Sequence, residues 1–161
     1  MLAVEAEARA RDGLVATVGR LDVQPGAANV IPGHVELSLD VRHAGDRTRV
    51  EAGFAMLDHA TAIAARRKVS VEVQPVADSA SVACSERLTS LLDRAVGGDV
   101  VQLTSGAGHD AVAMSSLTDV GMLFVRCKGG VSHNPAESVT TEDVAVAIDV
   151  LGRFLELLAE A

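Results

Sequence analysis

Aromatic side chains are nearly missing from this sequence: it has no Trp, no Tyr and three Phe, at 54, 124 and 154. Its core must therefore be built from Val, Leu, Ala and Ile. Single-stranded nucleic acid would find no aromatic platform on which to stack. Positive charge is scarce too, with 14 Lys and Arg against 22 Asp and Glu, a formal net charge of −8. Phosphate binding needs a basic face, so nucleic acid is excluded as the main partner. The two cysteines, Cys84 and Cys127, have neither a metal-type nor a redox-type spacing. That usage points to a reducing compartment, and the expected location is cytoplasmic. No signal-peptide pattern is evident, and no run of ~18 apolar residues marks a membrane span. What is present is a 161-residue chain, 48% hydrophobic, long enough for one medium domain or two small ones.

Met1 to Arg11 is rich in Ala and Glu and helical in propensity, and Asp12-Gly13 ends it. No cap precedes its first turn. Leu14 to Gln24 reads as a strand closed by Pro25-Gly26. A second extended stretch starts near Asn29 and is interrupted at Pro32-Gly33. His34 to Arg42 then alternates: Val35, Leu37, Leu39 and Val41 point to a core, and Glu36, Ser38, Asp40 and Arg42 point away. Water is the ordinary neighbour of such a polar face; Arg42, at its end, can instead face a ligand. Asp46 is placed as the cap of the next helix, with Val50, Phe54, Leu57, Ile63 and Ala64 as its buried stripe. Arg66-Arg67-Lys68 ends that helix, where the dipole favours positive charge. Val69, Val71 and Val73 alternate as a third strand. The order helix, strand, strand, helix, strand is that of a split βαβ (ferredoxin-like) unit lacking its first strand. Asp78 to Ser81 is a small polar linker.

The second part reads as a helix from Ser85 to Val96, a strand from Val100 to Leu103, a loop, and a helix to about Leu117. A buried strand from Val120 to Val125 follows, then a polar turn and a helix from Thr140 to Leu158. Thr140 and Asp143 form a capping arrangement, and Val144, Ala147, Ile148, Leu151, Leu155 and Leu158 form the buried face. Strand–helix–strand–helix order implies parallel strands with a right-handed crossover. Both special loops, Ser105–Asp110 and Ser132–Glu137, follow strand ends and are expected on one rim, where α/β proteins gather ligands.

Pro135 stiffens the turn that presents His133, which suits a metal ligand held in one orientation; the plainer reading is a histidine that caps a turn. One histidine does not make a site that needs three or four ligands. Gly106 and Gly108 let backbone approach a ligand closely. A phosphate loop fits poorly, because no Gly-Lys-Ser/Thr follows. His109 and Asp110 are either site residues or a helix N-terminal cap pair. A serine nucleophile has no strained elbow here to carry it.

Four motifs stand in order: Asn29-Val30-Ile31-Pro32-Gly33, Leu39-Asp40-Val41-Arg42-His43, Ser105-Gly106-Ala107-Gly108-His109-Asp110-Ala111, and Gly130-Val131-Ser132-His133-Asn134-Pro135-Ala136-Glu137. Together the sequence resembles the dinuclear-metal amidohydrolases that include N-carbamoyl-L-amino acid hydrolases, allantoate amidohydrolases and β-ureidopropionases, relatives of the aminoacylase and zinc carboxypeptidase clan. The resemblance covers nearly the whole chain. It implies an α/β fold in which residues 1–76 are a lid and dimerisation domain and residues 77–161 are the C-terminal βαβα part of a zinc-peptidase-like catalytic domain. His133 then matches a metal ligand. Asn29 and Arg42 match lid residues that hold the substrate's carboxylate end; a guanidinium suits this because its planar fork grips a carboxylate in two places. The backbone of Gly106, Ala107 and Gly108 matches a substrate-contacting loop, and His109, Asp110 and Glu137 match supporting positions.

For a complete enzyme the resemblance implies hydrolysis of a linear C–N bond in a carbamoyl or ureido compound. Two metal ions, zinc or else manganese, cobalt or nickel, would polarise the carbonyl and supply hydroxide, with a glutamate as proton shuttle. It also implies a homodimer formed through the lid. The family's other ligand motifs, its general-base glutamate and its lid histidine have no match in this chain. No catalytic residue is identified in it, so the expectation is an inactive C-terminal fragment. Two rival readings stand beside it: a non-catalytic dimerisation or small-molecule-binding module, and an aminoacylase or peptidase of the same clan.

Overall fold

The computed structural model describes all of residues 1–161. The chain divides into two compact units, Met1–Ser81 and Val82–Ala161. It is a mixed helix and sheet structure whose sheets are small and lie in the first unit.

The first unit opens with α1 (Leu2–Arg9), which begins without a side-chain cap. Four short strands follow: β1 (Val15–Thr17), β2 (Leu21–Gln24), β3 (His34–Leu37) and β4 (Asp40–Arg42). β1 pairs antiparallel with β4, and β2 with β3, so the chain runs out along one side of a ribbon and back along the other. Each expected long strand is thus split in two. At the break the Ser38 hydroxyl accepts from the Arg20 amide at 2.9 Å, and the Ser38 amide donates to the Arg20 carbonyl at 3.1 Å. A side chain has replaced one rung of the ladder, which is how serine competes with regular structure. Asn29 lies in the turn at the ribbon tip, not in a strand.

α2 (Asp46–Arg67) packs against α1 and β4. Its N-cap is Gly45, not Asp46, and the Asp46 carboxylate instead accepts from Arg49 (3.2 Å) and from the Ser81 amide (3.0 Å). Its buried face also differs from the expected stripe. Ala52 and Met56 join Leu14 in the core, with Val4, Ala16, Leu39 and Val41 packed around them, whereas Phe54 is 65% exposed. Of the expected stripe, Ala64 is buried and Leu57 half-buried. At about 3.6 residues per turn, Val50, Phe54 and Leu57 lie roughly opposite Ala52 and Met56. The helix is apolar on two sides, and periodicity alone does not say which side a neighbour covers. Of the expected inward residues of His34–Arg42 only Leu39 and Val41 reach the core, while Val35 and Leu37 stay 49% and 46% exposed.

In the second unit α3 (Glu86–Val96) packs on α5 (Thr141–Ala159), burying Leu91, Leu92, Ala95 and Val150. Arg153 of α5 donates to the Ala95 carbonyl at the end of α3 (2.7 Å), where the helix dipole favours a cation. The inward face of α5 runs through Ala147, Val150, Phe154 and Leu158; of the expected face Ile148 and Leu155 are largely exposed and Val144 and Leu151 partly so. In chain order α4 (Asp110–Met114) and a tight 3-10 turn at Lys128–Gly130 come between these two helices. An apolar cavity of about 230 Å³ is lined by Leu88, Leu92, Gly121, Leu123, Leu151, Phe154 and Leu158.

The expected strands at Val69–Val73, Val100–Leu103 and Val120–Val125 are not formed, and with them the parallel crossover. These runs have strand-like composition, but a strand is a ladder, and none of them has a neighbour in register.

Candidate functional site

In the first unit the site residues sit on the ribbon. Side chains alternate along a strand, so Asp40 and Arg42 of β4 share one face while Val41 turns to the core. Arg42 grips Asp40 with two prongs: Nε donates to Oδ1 at 2.6 Å and a terminal nitrogen donates to Oδ2 at 2.9 Å. This is the fork-on-carboxylate geometry that makes arginine selective for planar anions. The hydrogen bonds from Arg42 hold the Asp40 carboxyl below its ordinary value; partial burial opposes them and the charge of Arg42 adds to them. The same hydrogen bonds hold Arg42 above its own.

His43, the next residue, fixes the end of β4. The Gly45 amide donates to its Nδ1 at 2.9 Å. The ring proton is therefore on Nε2, which donates to the Asp12 carbonyl at 3.1 Å. One imidazole thus ties the turn after α1 to the turn before α2. Asn29 lies at the other end of the ribbon, in the exposed turn where the Val30 amide donates to the Ala27 carbonyl.

In the second unit His133 stands in the left-handed region, at φ 56°. Non-glycine residues rarely adopt that conformation, and those that do cluster at functional sites. The surrounding turn holds it there. The His133 amide donates to Glu137 Oε2 (2.9 Å), the Ala136 amide to Asn134 Oδ1 (2.9 Å) and the Glu137 amide to the Asn134 carbonyl (2.9 Å). The Lys128 amide, donating to the Ser138 carbonyl at 2.8 Å, closes the base of the loop.

In the other loop the Ala107 amide donates to Ser105 Oγ at 3.2 Å, and that hydroxyl lies 2.7 Å from His109 Nε2. The hydroxyl is an acceptor toward Ala107; which of the two atoms donates in the Ser105–His109 bond is set by the ring tautomer. His109 occupies the N-cap position of α4 but makes no side-chain cap bond. The capping reading of its ring is therefore corrected: the ring is engaged by Ser105. Asp110 is the first residue of α4. A Cβ placed on Gly106 or Gly108 would meet open space, so internal packing does not demand glycine at either position.

The structure thus brings Arg42 onto Asp40, His133 onto Glu137 and His109 onto Ser105. Asp40 and His43 are partners that the reading of site residues missed. The two-residue spacing of Asp40 and Arg42 on a strand was the available signal for the first; nothing local marks the second. No group of three or more His, Cys, Asp or Glu side chains is placed to hold a metal ion. The donors of this chain alone do not fit a resident metal.

Residues 4–157 match the profile of peptidase family M20/M25/M40. The sequence is 42% identical, over 89% of this chain and 32% of the relative, to a probable allantoate deiminase of Oryza sativa subsp. japonica. It is 40% identical, over 98% of this chain and 39% of the relative, to an N-carbamoyl-L-amino acid amidohydrolase of Geobacillus stearothermophilus. An amidase of the hydantoinase/carbamoylase family from Burkholderia multivorans superposes with a TM-score of 0.88 at 30% identity, covering 96% of this chain and 39% of that one. The chain spans well under half the length of the relatives it matches.

Proposed function

The chain belongs to peptidase family M20/M25/M40, and from that premise we propose that the complete protein hydrolyses a linear C–N bond in a carbamoyl or ureido compound. The substrate class is that of N-carbamoyl-L-amino acids, allantoate or 3-ureidopropionate. The observation that carries this reading is the Arg42 fork, which closes on a carboxylate with two hydrogen bonds at the exposed end of β4. Such a fork suits substrates that end in a carboxylate, as N-carbamoyl amino acids do.

In this reading residues 1–76 are the lid and dimerisation domain, and residues 77–161 are the end of the catalytic domain. Arg42, with Asn29 as the second lid contact, holds the carboxylate end. The backbone of Gly106, Ala107 and Gly108 contacts the substrate, and the open space at the two glycines supports a close approach. His133 is one donor to a divalent metal, zinc in this proposal, whose other donors this chain does not hold. Glu137 supports His133 through its amide, Ser105 orients His109, and Asp110 starts the helix behind them. The proposed location is the cytoplasm, on the two cysteines that lack a disulfide-type usage.

The test is release of ammonia from N-carbamoylglycine and allantoate, with bound metal measured alongside. It is run on this chain and on a chimera that adds the part of the Geobacillus relative not matched here. Activity and metal in the chimera alone are expected. Within the chimera, Arg42→Lys should raise KM for carboxylate substrates, because a point-charge ammonium cannot reproduce the two-pronged grip. Unchanged kinetics would remove Arg42 from the site. Turnover of N-acetyl-amino acids or dipeptides instead would favour the aminoacylase or peptidase reading. The non-catalytic module has its own support in the exposed apolar side of α2, and a chimera that folds and holds metal without turnover would favour it.

A further inference from the structure

The ladder between β1 and β4 stops at the pair Val15 and Arg42, so Arg42 is the last residue of β4 that faces a strand partner. The same antiparallel register, continued past the ladder, sets Asp12 opposite Gly45. There the His43 ring stands in for a further rung. It accepts from the Gly45 amide at Nδ1 (2.9 Å) and donates from Nε2 to the Asp12 carbonyl (3.1 Å). A neutral imidazole carries the one acceptor and one donor that such a bridge needs. The ring also lies close to two glycines: a Cβ on Gly13 would come within 3.5 Å of Nε2, and one on Gly45 within 3.5 Å of Nδ1. We infer that His43 is a positioning residue for Arg42: its ring extends the ladder with a side-chain rung and fixes the strand end from which the guanidinium meets a ligand carboxylate. The inference rests on the reading of Arg42 as the carboxylate-holding residue.

Three features give the ring this role. β4 and its sheet partner β1 are each three residues long, and short strands fray at their ends unless something holds them. The bond from His43 to Asp12 reaches across 31 residues of sequence, so it ties the end of β4 to the turn after α1. Its bond to Gly45, the N-cap of α2, adds a third element. Finally, both ring nitrogens are engaged by backbone, so His43 acts through the chain that carries Arg42 and not on a ligand. The bonds of the guanidinium, to Asp40 and beyond, aim the fork; His43 places the backbone from which it is aimed. A two-pronged grip needs both donors on both carboxylate oxygens at once, so a small displacement of that backbone weakens it. A ligand without a carboxylate does not use the grip and is indifferent to the displacement.

The experiment is a nitrogen-15 NMR titration of the full chain, following the Arg42 Nε–H resonance, which is identified by its loss in Arg42→Lys. The probe is N-carbamoylglycine, with N-carbamoylglycinamide as the uncharged control. Three variants separate the two bonds of the ring. His43→Ala removes both, His43→Asn keeps an acceptor near Gly45 but does not reach Asp12, and His43→Gln keeps a donor that does. The expected result is a midpoint raised about three- to tenfold in His43→Ala and His43→Asn, the worth of one hydrogen bond, with His43→Gln closer to the wild type. A variant that merely folds less well loses amplitude and keeps its midpoint, so a purely structural role does not give this pattern. A wild-type midpoint in His43→Ala overturns the inference. So does a midpoint in His43→Asn nearer the wild type than that of His43→Gln, since the tie to Asp12 would then be idle and His43 only a brace for the start of α2. If N-carbamoylglycine leaves Arg42 unmoved in the wild type, or the amide moves it equally, Arg42 is not a carboxylate fork and the functional reading fails, and the inference with it. The first failures are titrations with the wrong midpoint; the last is no carboxylate-dependent titration at all.

Discussion

Single residues in this chain are held by short-range partners more than by burial. No polar or charged side chain is buried, so the ion pairs work in water and each is individually weak. Asp40 is the informative case. Arg42's hydrogen bonds lower its carboxyl pKa from an ordinary 3.8. A lowered folded value means that the pair stabilises the fold above the unfolded pKa, and that this contribution is lost as pH falls through the lowered one. The loss therefore lies below about pH 4 and leaves neutral pH untouched. Arg42→Gln should move the Asp40 carboxyl back up toward 3.8, as read by NMR titration of its side-chain carbon. No movement would mean that the two-pronged bond is absent in solution. The sequence offered Arg42 as a residue on a polar face that could meet a ligand, and the structure adds that the face already supplies an anion. His133's left-handed backbone was not legible: the polar turn was read from Ser132 to Pro135, but composition does not say which of its residues turns left-handed or that Glu137 reaches back to the His133 amide.

Among elements, helices were read well and strands poorly, for one physical reason. A helix satisfies its own backbone, so local composition and caps define it. α3 and α5 begin and end within a residue of the expected bounds. A strand is defined by its neighbour, and the valine-rich runs after α2, before α4 and after α4 have none in register. Helix faces were legible only where one side is apolar. On α2 and α5 the apolar residues wrap too far around the axis for pattern to choose the buried side. Caps were mixed. Gly45 took the place expected for Asp46, but Thr140 caps α5 as its sequence suggests. Its Oγ1 accepts from the Asp143 amide at 3.1 Å and donates to Asp143 Oδ2 at 2.8 Å. Thr140→Ala should lower the stability of the second unit by about 1 kcal/mol in urea unfolding. Thr140→Ser should restore most of it, because the hydroxyl is what matters. A neutral Thr140→Ala would show that α5 is fixed by its packing on α3 alone.

At the scale of the whole molecule, the surface is more apolar than a lone monomer needs. Phe54 is 65% exposed on α2 with Val50 beside it, and every strand of the two-stranded sheets keeps one unpaired edge. Open edges and apolar helix faces seek partners, and a symmetric dimer is the commonest way to satisfy both. Sedimentation should therefore give a dimer that Phe54→Glu shifts toward monomer; a wild-type monomer at all concentrations would remove this prediction. Catalysis is the harder question at this scale. A catalytic metal site generally needs three protein ligands and an open position for water. This chain offers no such cluster; His133 stands in its loop with Glu137 spent on a backbone amide, and the His109 ring is taken by Ser105. A second copy would bring the same donors again and no new kind. The chain by itself should therefore hold metal weakly and release no ammonia from N-carbamoylglycine or allantoate. The check is elemental analysis of the purified chain with an ammonia assay on both substrates, repeated for His133→Ala. Stoichiometric zinc that survives dialysis, with hydrolysis lost in His133→Ala, would sink the prediction. It would mean that donors which the fold holds apart come together on a second copy of the chain.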